Sequence, residues 1–138
     1  MSTIPADAEK ILTSFHRIAV VGVSERPERP SHYVAGYLID AGYDVTPVNP
    51  LLGRVLDRPC YPDLASVPGP VEVVDVFRRS ELVAPIVDDA IAVGARAVWL
   101  QDGVVDEAAA AKARAAGLLV VMDRCMLRDH RALGAGRP

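Results

Sequence analysis

Five short apolar segments recur along the chain, separated by stretches in which apolar residues return at helical spacing. The apolar segments are residues 18–23, 44–48, 71–77, 97–101 and 118–122. The run at 18–23 is continuously apolar, which is typical of a parallel strand that is covered on both faces. The alternation of the five apolar segments with helical stretches predicts a parallel sheet with helices on both sides, which is an α/β fold.

The helical stretches carry residues that favour helix ends. We expect helices over residues 5–15, 31–41, 80–93 and 106–116. Ser31, Ser80 and Asp106 are residue types favoured at the N-cap, and a glycine follows each of these three helices. Residues 50–70 are rich in proline and are expected to be irregular, with a short helical turn near 63–66.

Length and composition limit the domain count and the partners. A chain of 138 residues has the usual size of one domain, so we expect a single domain with a core over about 10–130 and a loose tail over 128–138. The net charge of −3 argues against a nucleic-acid partner, and no apolar run is long enough to span a membrane. Two distant cysteines show no metal-ligand spacing, and the chain does not start like a signal peptide, so we expect a cytoplasmic protein.

The carboxyl ends of the predicted strands are the place to look for a site, because ligands of parallel α/β sheets bind there. This rule selects the segments 22–31, 48–50, 77–79, 101–103 and 123–125. The first begins with a Gly-x-Ser turn. Gly22 and the amides of Val23 and Ser24 favour a phosphate near the start of the next helix, although the glycine could equally serve a tight turn without a ligand.

The usual dinucleotide pattern is altered in two places. Ser24 stands at the second glycine position of G-x-G-x-x-G, and the loop instead carries Arg26 and Arg29, which either neutralise phosphate or are simply solvated. After the second strand, where a nicotinamide enzyme usually has an acid for the ribose, the chain has Val48, Asn49 and Pro50. Asn49 can bond a base or ribose, or make a local Asn-Pro turn. Both departures argue against a hydride-transfer enzyme.

Residues after the third and fifth strands each have two interpretations. Val76 and Phe77 could flank an adenine or belong to the core, and Arg78 could reach a phosphate or lie on the surface. Cys125 is either a small buried hydrophobe or a thiol near a ligand. The sequence contains no P-loop, no metal-binding motif and no recognisable nucleophile–base pair. It therefore predicts a binding site without nominating a catalytic group.

The chain resembles the small stand-alone CoA-binding proteins of bacteria. The resemblance is carried by the segments IAVVGVSERPERPSHYVAGYL, GYDVTPVNP, VDVFRR, AVWLQDGV and VVMDRCM. These proteins are similar to the N-terminal CoA-binding domain of the succinyl-CoA synthetase α subunit. The likeness covers about residues 10–130, which is nearly the whole chain.

The resemblance implies a Rossmann-like three-layer α/β/α sandwich with about five parallel strands in the order 3-2-1-4-5, and coenzyme A bound across the strand ends. The residues that would bind it are Gly22, Val23, Ser24, Arg26, Arg29, Val48, Asn49, Pro50, Val76, Phe77, Arg78 and Gln101. The Gly-x-Ser loop and its arginines would meet phosphates, the next residues would lie along the nucleotide, and the Gln101 region would line the pantetheine path. Coenzyme A carries a pyrophosphate and a 3′-phosphate, which suits arginines and no ribose-binding acid.

We therefore expect a protein that binds CoA or an acyl-CoA without catalysis of its own, as a carrier, a sensor or a partner-dependent subunit. The alternatives are an NAD(P)-binding oxidoreductase or regulator, and a CoA-dependent enzyme whose chemistry the sequence does not reveal. Ligase activity is not expected, because the synthetases' phosphorylated histidine has no matching motif here and their nucleotide-grasp domain has no room. A homodimer or another protein partner stays open.

Overall fold

The computed structural model describes residues 4–135, and a five-stranded parallel sheet lies at its centre. Its strands are β1 (Arg17–Val21), β2 (Asp44–Val48), β5 (Val73–Val76), β6 (Ala97–Leu100) and β7 (Leu119–Val121). A small antiparallel hairpin between β2 and β5 is formed by β3 (Arg54–Val55) and β4 (Arg58–Pro59). The five parallel strands lie within, or within one residue of, the predicted apolar segments.

Helices cover both faces of this sheet. In the described residues they are α1 (Ala6–Ser14), α2 (Pro30–Asp40), α3 (Val83–Ala92), α4 (Glu107–Ala115) and α5 (Met126–Ala135). The helices α1, α2 and α5 pack on one face, and α3 and α4 pack on the other. The predicted Rossmann-like three-layer fold is therefore confirmed. None of the helices in this part of the chain is long and apolar enough to cross a membrane.

The predicted helix starts are confirmed in one case and wrong in two. Asp106 caps α4, because its carboxylate accepts a hydrogen bond from the Ala109 amide at 3.0 Å. Ser31 is not the N-cap of α2, since the helix begins one residue earlier at Pro30, whose fixed φ suits the first helical position. Ser80 begins a separate 3₁₀ turn that precedes α3. The two serine side chains are thus available for other partners.

The order of the strands differs from the expected 3-2-1-4-5. Across the sheet it is β2-β1-β5-β6-β7, so the third strand of the sheet in chain order pairs with β1 and not with β2. This leaves β2 at an edge, and Pro47 supplies the physical reason. The Pro47 carbonyl accepts a hydrogen bond from the Tyr61 amide on the outer side of β2, where its nitrogen has no hydrogen to donate. A full strand there would lose a ladder hydrogen bond, which is why proline favours edge strands.

The tail expected to be loose over 128–138 is instead helical to the end of α5. The helix buries Met126, and Asp129 is 1% exposed. The Asp129 carboxylate accepts two hydrogen bonds from the Arg124 guanidinium, at 2.7 and 2.9 Å. The helix is attached to the fold through Met126 and Leu133, which are buried in the core, and through a 2.7 Å hydrogen bond between the Tyr37 hydroxyl and His130 Nδ1. Residues 136–138 of the expected tail lie outside the described residues.

The proline-rich connection from β2 to β5 is irregular as predicted, apart from the hairpin. The predicted helical turn is present at Leu64–Ser66. Its start is stabilised by the Asp63 carboxylate, which accepts a hydrogen bond from the Ser66 amide at 2.9 Å. This connection brings Pro50 and Pro62 to the carboxyl end of β2, beside the candidate site.

Candidate functional site

Three neighbouring cavities open at the carboxyl ends of the strands, where the sequence predicts the binding site. The loop cavity, about 450 Å³, lies beside the loop after β1 and is lined by residues including Gly22, Val23, Ser24, Arg26, Arg29 and Asn49. The central cavity, about 480 Å³, lies between the starts of α2 and α5 and is lined by residues including Tyr33, Phe77, Arg78, Gln101, Cys125 and Arg128. The proline cavity, about 160 Å³, lies towards α3 and is lined by residues including Val48, Pro50, Pro62 and Arg78. All predicted site residues except Val76 line one of these cavities.

Gly22 forms the sharp end of β1, and its lack of a side chain is required by packing. Its φ is +91°, which favours glycine. A Cβ atom at this position would lie 2.5 Å from the carbonyl oxygen of Phe77 at the end of β5. The Gly22 amide donates a hydrogen bond to the Val48 carbonyl at 2.9 Å. Gly22 therefore allows the ends of three strands to meet, which gives it a structural role whether or not a ligand approaches.

The loop after Gly22 is held against the first turn of α2. The Ser24 amide donates a hydrogen bond to the hydroxyl of Ser31 at 2.9 Å. The Ser24 hydroxyl accepts one from the Arg26 amide at 3.1 Å, so its own hydrogen stays available for another acceptor. This arrangement explains the buried Ser31 side chain, which serves the loop and not the helix cap.

Asn49 joins the end of β2 to the same loop. Its side-chain nitrogen donates a hydrogen bond to the Val23 carbonyl at 2.8 Å, and its side-chain oxygen accepts one from the Leu51 amide at 2.8 Å. The second bond forms the local Asn-Pro turn, which was the alternative interpretation of Asn49 in the sequence. Asn49 therefore positions the Gly-x-Ser loop, and both ends of its amide already have protein partners.

The arginines near the loop and proline cavities have no carboxylate partner among the described residues. Arg26 and Arg29 are exposed and Arg78 is half-buried, and none of them takes part in an ion pair in this part of the chain. Arg78 lines both the central and the proline cavity and therefore lies between them. The loop also carries Glu25 and Glu28, which are exposed. Unpaired guanidinium groups beside a cavity favour the binding of phosphate.

The two residues expected to flank an adenine have different surroundings. Phe77 is half-buried and lines the central cavity. Val76 is fully buried in the core beneath α3, so the core interpretation applies to its side chain. Because successive residues of a strand point to opposite faces, only one of the two side chains can face a given cavity.

Asp75 is a buried acid next to the central cavity that the sequence reasoning missed. It is 0% exposed, and its Oδ1 accepts a hydrogen bond from Gln101 Nε2 at 2.6 Å. Its Oδ2 has no hydrogen-bond partner. Burial raises the pKa of Asp75 from 3.8 to about 7, while the Gln101 hydrogen bond acts in the opposite direction. The signal in the sequence was a single acid inside the apolar strand VVDVF.

Ion pairs and a half-buried thiol complete the central cavity. The Arg128 guanidinium donates two hydrogen bonds to the Asp102 carboxylate, at 2.8 and 3.0 Å, and holds the pKa of Asp102 below its ordinary value. Cys125 is half-buried and precedes α5, whereas Cys60 is 7% exposed in the core. Burial raises the pKa of the Cys60 thiol, which disfavours its reactive thiolate form.

The arrangement can bind an extended ligand with separate charged and neutral parts. The loop cavity presents guanidinium groups and the Ser24 hydroxyl, which suit phosphates. The proline cavity presents Arg78 together with apolar side chains and the acids Asp63 and Asp89. The central cavity presents an amide, a thiol and aromatic and aliphatic side chains, which suit a neutral arm, and its Arg128 is paired with Asp102. No group of three or more His, Cys, Asp or Glu side chains in residues 4–135 could hold a metal ion.

Comparisons with known proteins agree with this picture. The family described as the CoA binding domain matches residues 16–131. The uncharacterized protein YneT of Bacillus subtilis (strain 168) is 38% identical over 125 residues, which span 91% of this chain and 93% of that protein.

Solved structures share both the fold and much of the sequence. The crystal structure of Prb, a PH1109 protein redesigned for binding, is 45% identical with a TM-score of 0.90, over 93% of this chain and 91% of that one. A hypothetical protein from Pyrococcus horikoshii OT3 is 43% identical with a TM-score of 0.89, over 97% and 99% of the two chains. With its family match over most of its length, the chain belongs to the CoA binding domain family.

Proposed function

We propose that the protein binds coenzyme A or an acyl-CoA across the carboxyl ends of its strands, without a catalytic group of its own. Membership of the CoA binding domain family supports the ligand class. The observation that carries the proposal is the set of unpaired guanidinium groups, Arg26, Arg29 and Arg78, around adjoining cavities. Coenzyme A needs several positive donors at one end and a neutral channel at the other, and the cavities offer both.

The nucleotide end of the ligand belongs at the loop and proline cavities. The Ser24 hydroxyl hydrogen is available to the pyrophosphate, with Arg26 and Arg29 neutralising its charge, whereas the Ser24 and Arg26 amides already have protein partners. Val48 and Pro50 offer apolar surface to the adenosine. Asn49 contributes indirectly, by holding the Gly-x-Ser loop through its own amide.

The pantetheine arm belongs in the central cavity. Phe77 and Tyr33 supply apolar surface, and Gln101 supplies a polar contact along the path. Arg78 lies between this cavity and the proline cavity, where it can reach a phosphate of the nucleotide end. The thiol or acyl end would then lie near Cys125.

The biological role that fits this binding is that of a carrier, a sensor or a subunit that acts with a partner, in the cytoplasm. The sequence offers no recognisable nucleophile–base pair, which suits binding without catalysis. The loop lacks the glycines and the acid of nicotinamide enzymes, so NAD(P) binding is the competing outcome of the test below.

Isothermal titration of the ligand-stripped protein with CoA, dephospho-CoA and NAD⁺ tests the proposal. We expect binding of CoA and little of NAD⁺. A variant with Arg26→Ala and Arg29→Ala should weaken CoA at least about tenfold, since charge-assisted hydrogen bonds are lost. Arg96→Ala is the control, because this exposed arginine precedes β6 and therefore lies at the amino ends of the strands, away from the cavities. Binding of NAD⁺ without CoA would overturn the proposal.

A further inference from the structure

A carboxyl group lies in the hydrophobic layer under α2 and α5, and no cationic side chain of residues 4–135 forms an ion pair with it. Asp75 occupies the middle of β5, between Val20 of β1 and Trp99 of β6. It is fully buried, one of its oxygens has no partner, and Gln101 is its one hydrogen-bond partner among the described residues. A buried polar group without full hydrogen bonding destabilises a protein. An acid at this position therefore calls for an explanation beyond packing.

The contact with Gln101 determines which end of that amide reaches the cavity. Gln101 is 3% exposed and lines the central cavity. Its Nε2 donates to Asp75 Oδ1 at 2.6 Å, so its amino group points into the protein. The carbonyl oxygen Oε1 takes no part in any of the hydrogen bonds found in residues 4–135 and is the end left for the cavity. Asp75 Oδ1 can accept this hydrogen bond whether or not the unpartnered Oδ2 carries a proton, so the carboxyl group holds the amide in this orientation.

We propose that Asp75 is a positioning residue, which fixes Gln101 with its carbonyl oxygen towards the central cavity, where it accepts a hydrogen bond from an N–H group of the ligand. The inference rests on the proposed function and deepens it. The pantetheine arm of coenzyme A carries amide N–H groups, whereas its nucleotide end is read by arginines. Asp75 and Gln101 together would select ligands that bring an amide donor to this depth.

Paired ligands separate this role from a purely structural one. Asp75→Val removes both oxygens and keeps a residue type that suits a strand. We expect it to weaken CoA roughly threefold to tenfold, the effect of one lost hydrogen bond. Adenosine 3′,5′-bisphosphate, which has no amide arm, should bind as it does to the wild type. Val73→Ala on the same face of β5 is the control for general disturbance of this core.

A double-mutant cycle tests whether Asp75 acts through Gln101. Gln101→Met keeps the side-chain length and should weaken CoA as much as Asp75→Val does. In the Gln101→Met protein, Asp75→Val should cause no further loss, because the group that it positions is absent. Additive losses would overturn the inference. If Asp75→Val does not fold, Asp75→Ala replaces it in the cycle.

Side-chain NMR gives a readout that does not depend on affinity. The chain contains one glutamine and one asparagine, so a ¹⁵N spectrum holds only two side-chain amide pairs. Loss of one pair in Gln101→Met assigns the Gln101 signal. We expect this signal to shift on Asp75→Val and again when CoA, but not adenosine 3′,5′-bisphosphate, is added to the wild type.

The outcomes separate the two proposals. Wild-type protein that fails to bind CoA would end the proposed function, and the inference with it. Wild-type protein that binds CoA with the same affinity as Asp75→Val would leave the function standing and overturn the inference alone. Equal losses of CoA and adenosine 3′,5′-bisphosphate would make Asp75 a structural residue, which also overturns it.

Discussion

The loop cavity and the central cavity lie side by side, but their charged groups are arranged in opposite ways. At the loop cavity, Arg26 and Arg29 have no carboxylate partner within residues 4–135, and the backbone is pinned by neutral hydrogen bonds. At the central cavity, Arg128 is paired with Asp102 and Arg79 with Glu81, so that Arg78, at the border with the proline cavity, is the one lining arginine without a carboxylate partner in residues 4–135.

This contrast shows how the carboxyl ends of the strands in one sheet can bind two chemically different ends of a ligand. An unpaired guanidinium keeps its donors for a phosphate, whereas one that is paired within the protein contributes mainly to local structure. A pantetheine arm is uncharged, so it could not compensate for the loss of water around an unpaired charge in the central cavity. The neutral amide of Gln101 avoids that cost. The predictions below test the two halves against each other.

The largest expected effect is on the free energy of unfolding, and it comes from the buried carboxyl of Asp75 beside the central cavity. Its pKa is raised from 3.8 to about 7, so the folded chain holds this proton more tightly than the unfolded chain does. The stability it contributes is complete below about pH 3.8 and is lost as the pH rises to about 7. Each pKa unit corresponds to about 1.4 kcal/mol, so the loss is on the order of 4 kcal/mol.

Urea unfolding between pH 4 and pH 8 measures this loss as the difference between wild type and Asp75→Val. The difference is needed because Glu72, whose pKa is lowered by hydrogen bonds from the His16 and Arg17 amides, gives the opposite pH dependence. Parallel profiles for the two proteins would show that Asp75 does not titrate in this range.

The next effect concerns Gly22, which lines the loop cavity. Gly22→Ala should destabilise the fold by about 3 kcal/mol, because the new Cβ atom would strain the backbone and clash with the Phe77 carbonyl. Gly42→Ala is a matched control: its φ is +100°, close to the +91° of Gly22, but nothing lies within 4 Å of the added Cβ atom. The control should lose only about 1 kcal/mol. Equal losses in urea unfolding would refute the close approach of the strand ends.

Arg78 and Arg128 compare an unpaired arginine with a paired one. If Arg78 meets the 3′-phosphate, Arg78→Ala should weaken CoA by about 1.5–3 kcal/mol and dephospho-CoA by much less. Arg128→Ala breaks an exposed ion pair and should change either affinity by less than about 1 kcal/mol. Titration of both variants with both ligands checks this, and an equal effect of Arg78→Ala on the two ligands would place Arg78 elsewhere.

The smallest expected effect is a covalent adduct on Cys125, which lines the central cavity where the thiol end of CoA would lie. Its thiolate would attack CoA disulfide, forming a mixed disulfide and releasing one CoA thiol. Intact-mass and peptide spectra, with and without reductant, should show the adduct on Cys125 and none on the buried Cys60. No adduct on the Cys125 peptide would end this hypothesis.

The sequence predicted the parallel strands and the helices except α5, because period and end signals are local properties. Asp106 shows this well, since a capping side chain acts on an amide three residues away. The helix α5 escaped prediction because the polar run at residues 128–131 interrupts its apolar positions, and only the packed structure shows that Met126 and Leu133 are buried. Pro47 favours the edge position that β2 has, whereas the strand order implied by the resemblance would place β2 inside the sheet.

For the site, the sequence by itself determined the edge of the sheet and the residue types that line it. Only the tertiary structure decided what those residues do: Asn49 holds a loop, Val76 belongs to the core, and Asp75 meets Gln101 from a neighbouring strand. The physical reason is the separation along the chain of the residues that interact. Periodicity, caps and turns depend on residues a few positions apart, whereas hydrogen bonds and burial at the site join residues that only the pairing of strands brings together.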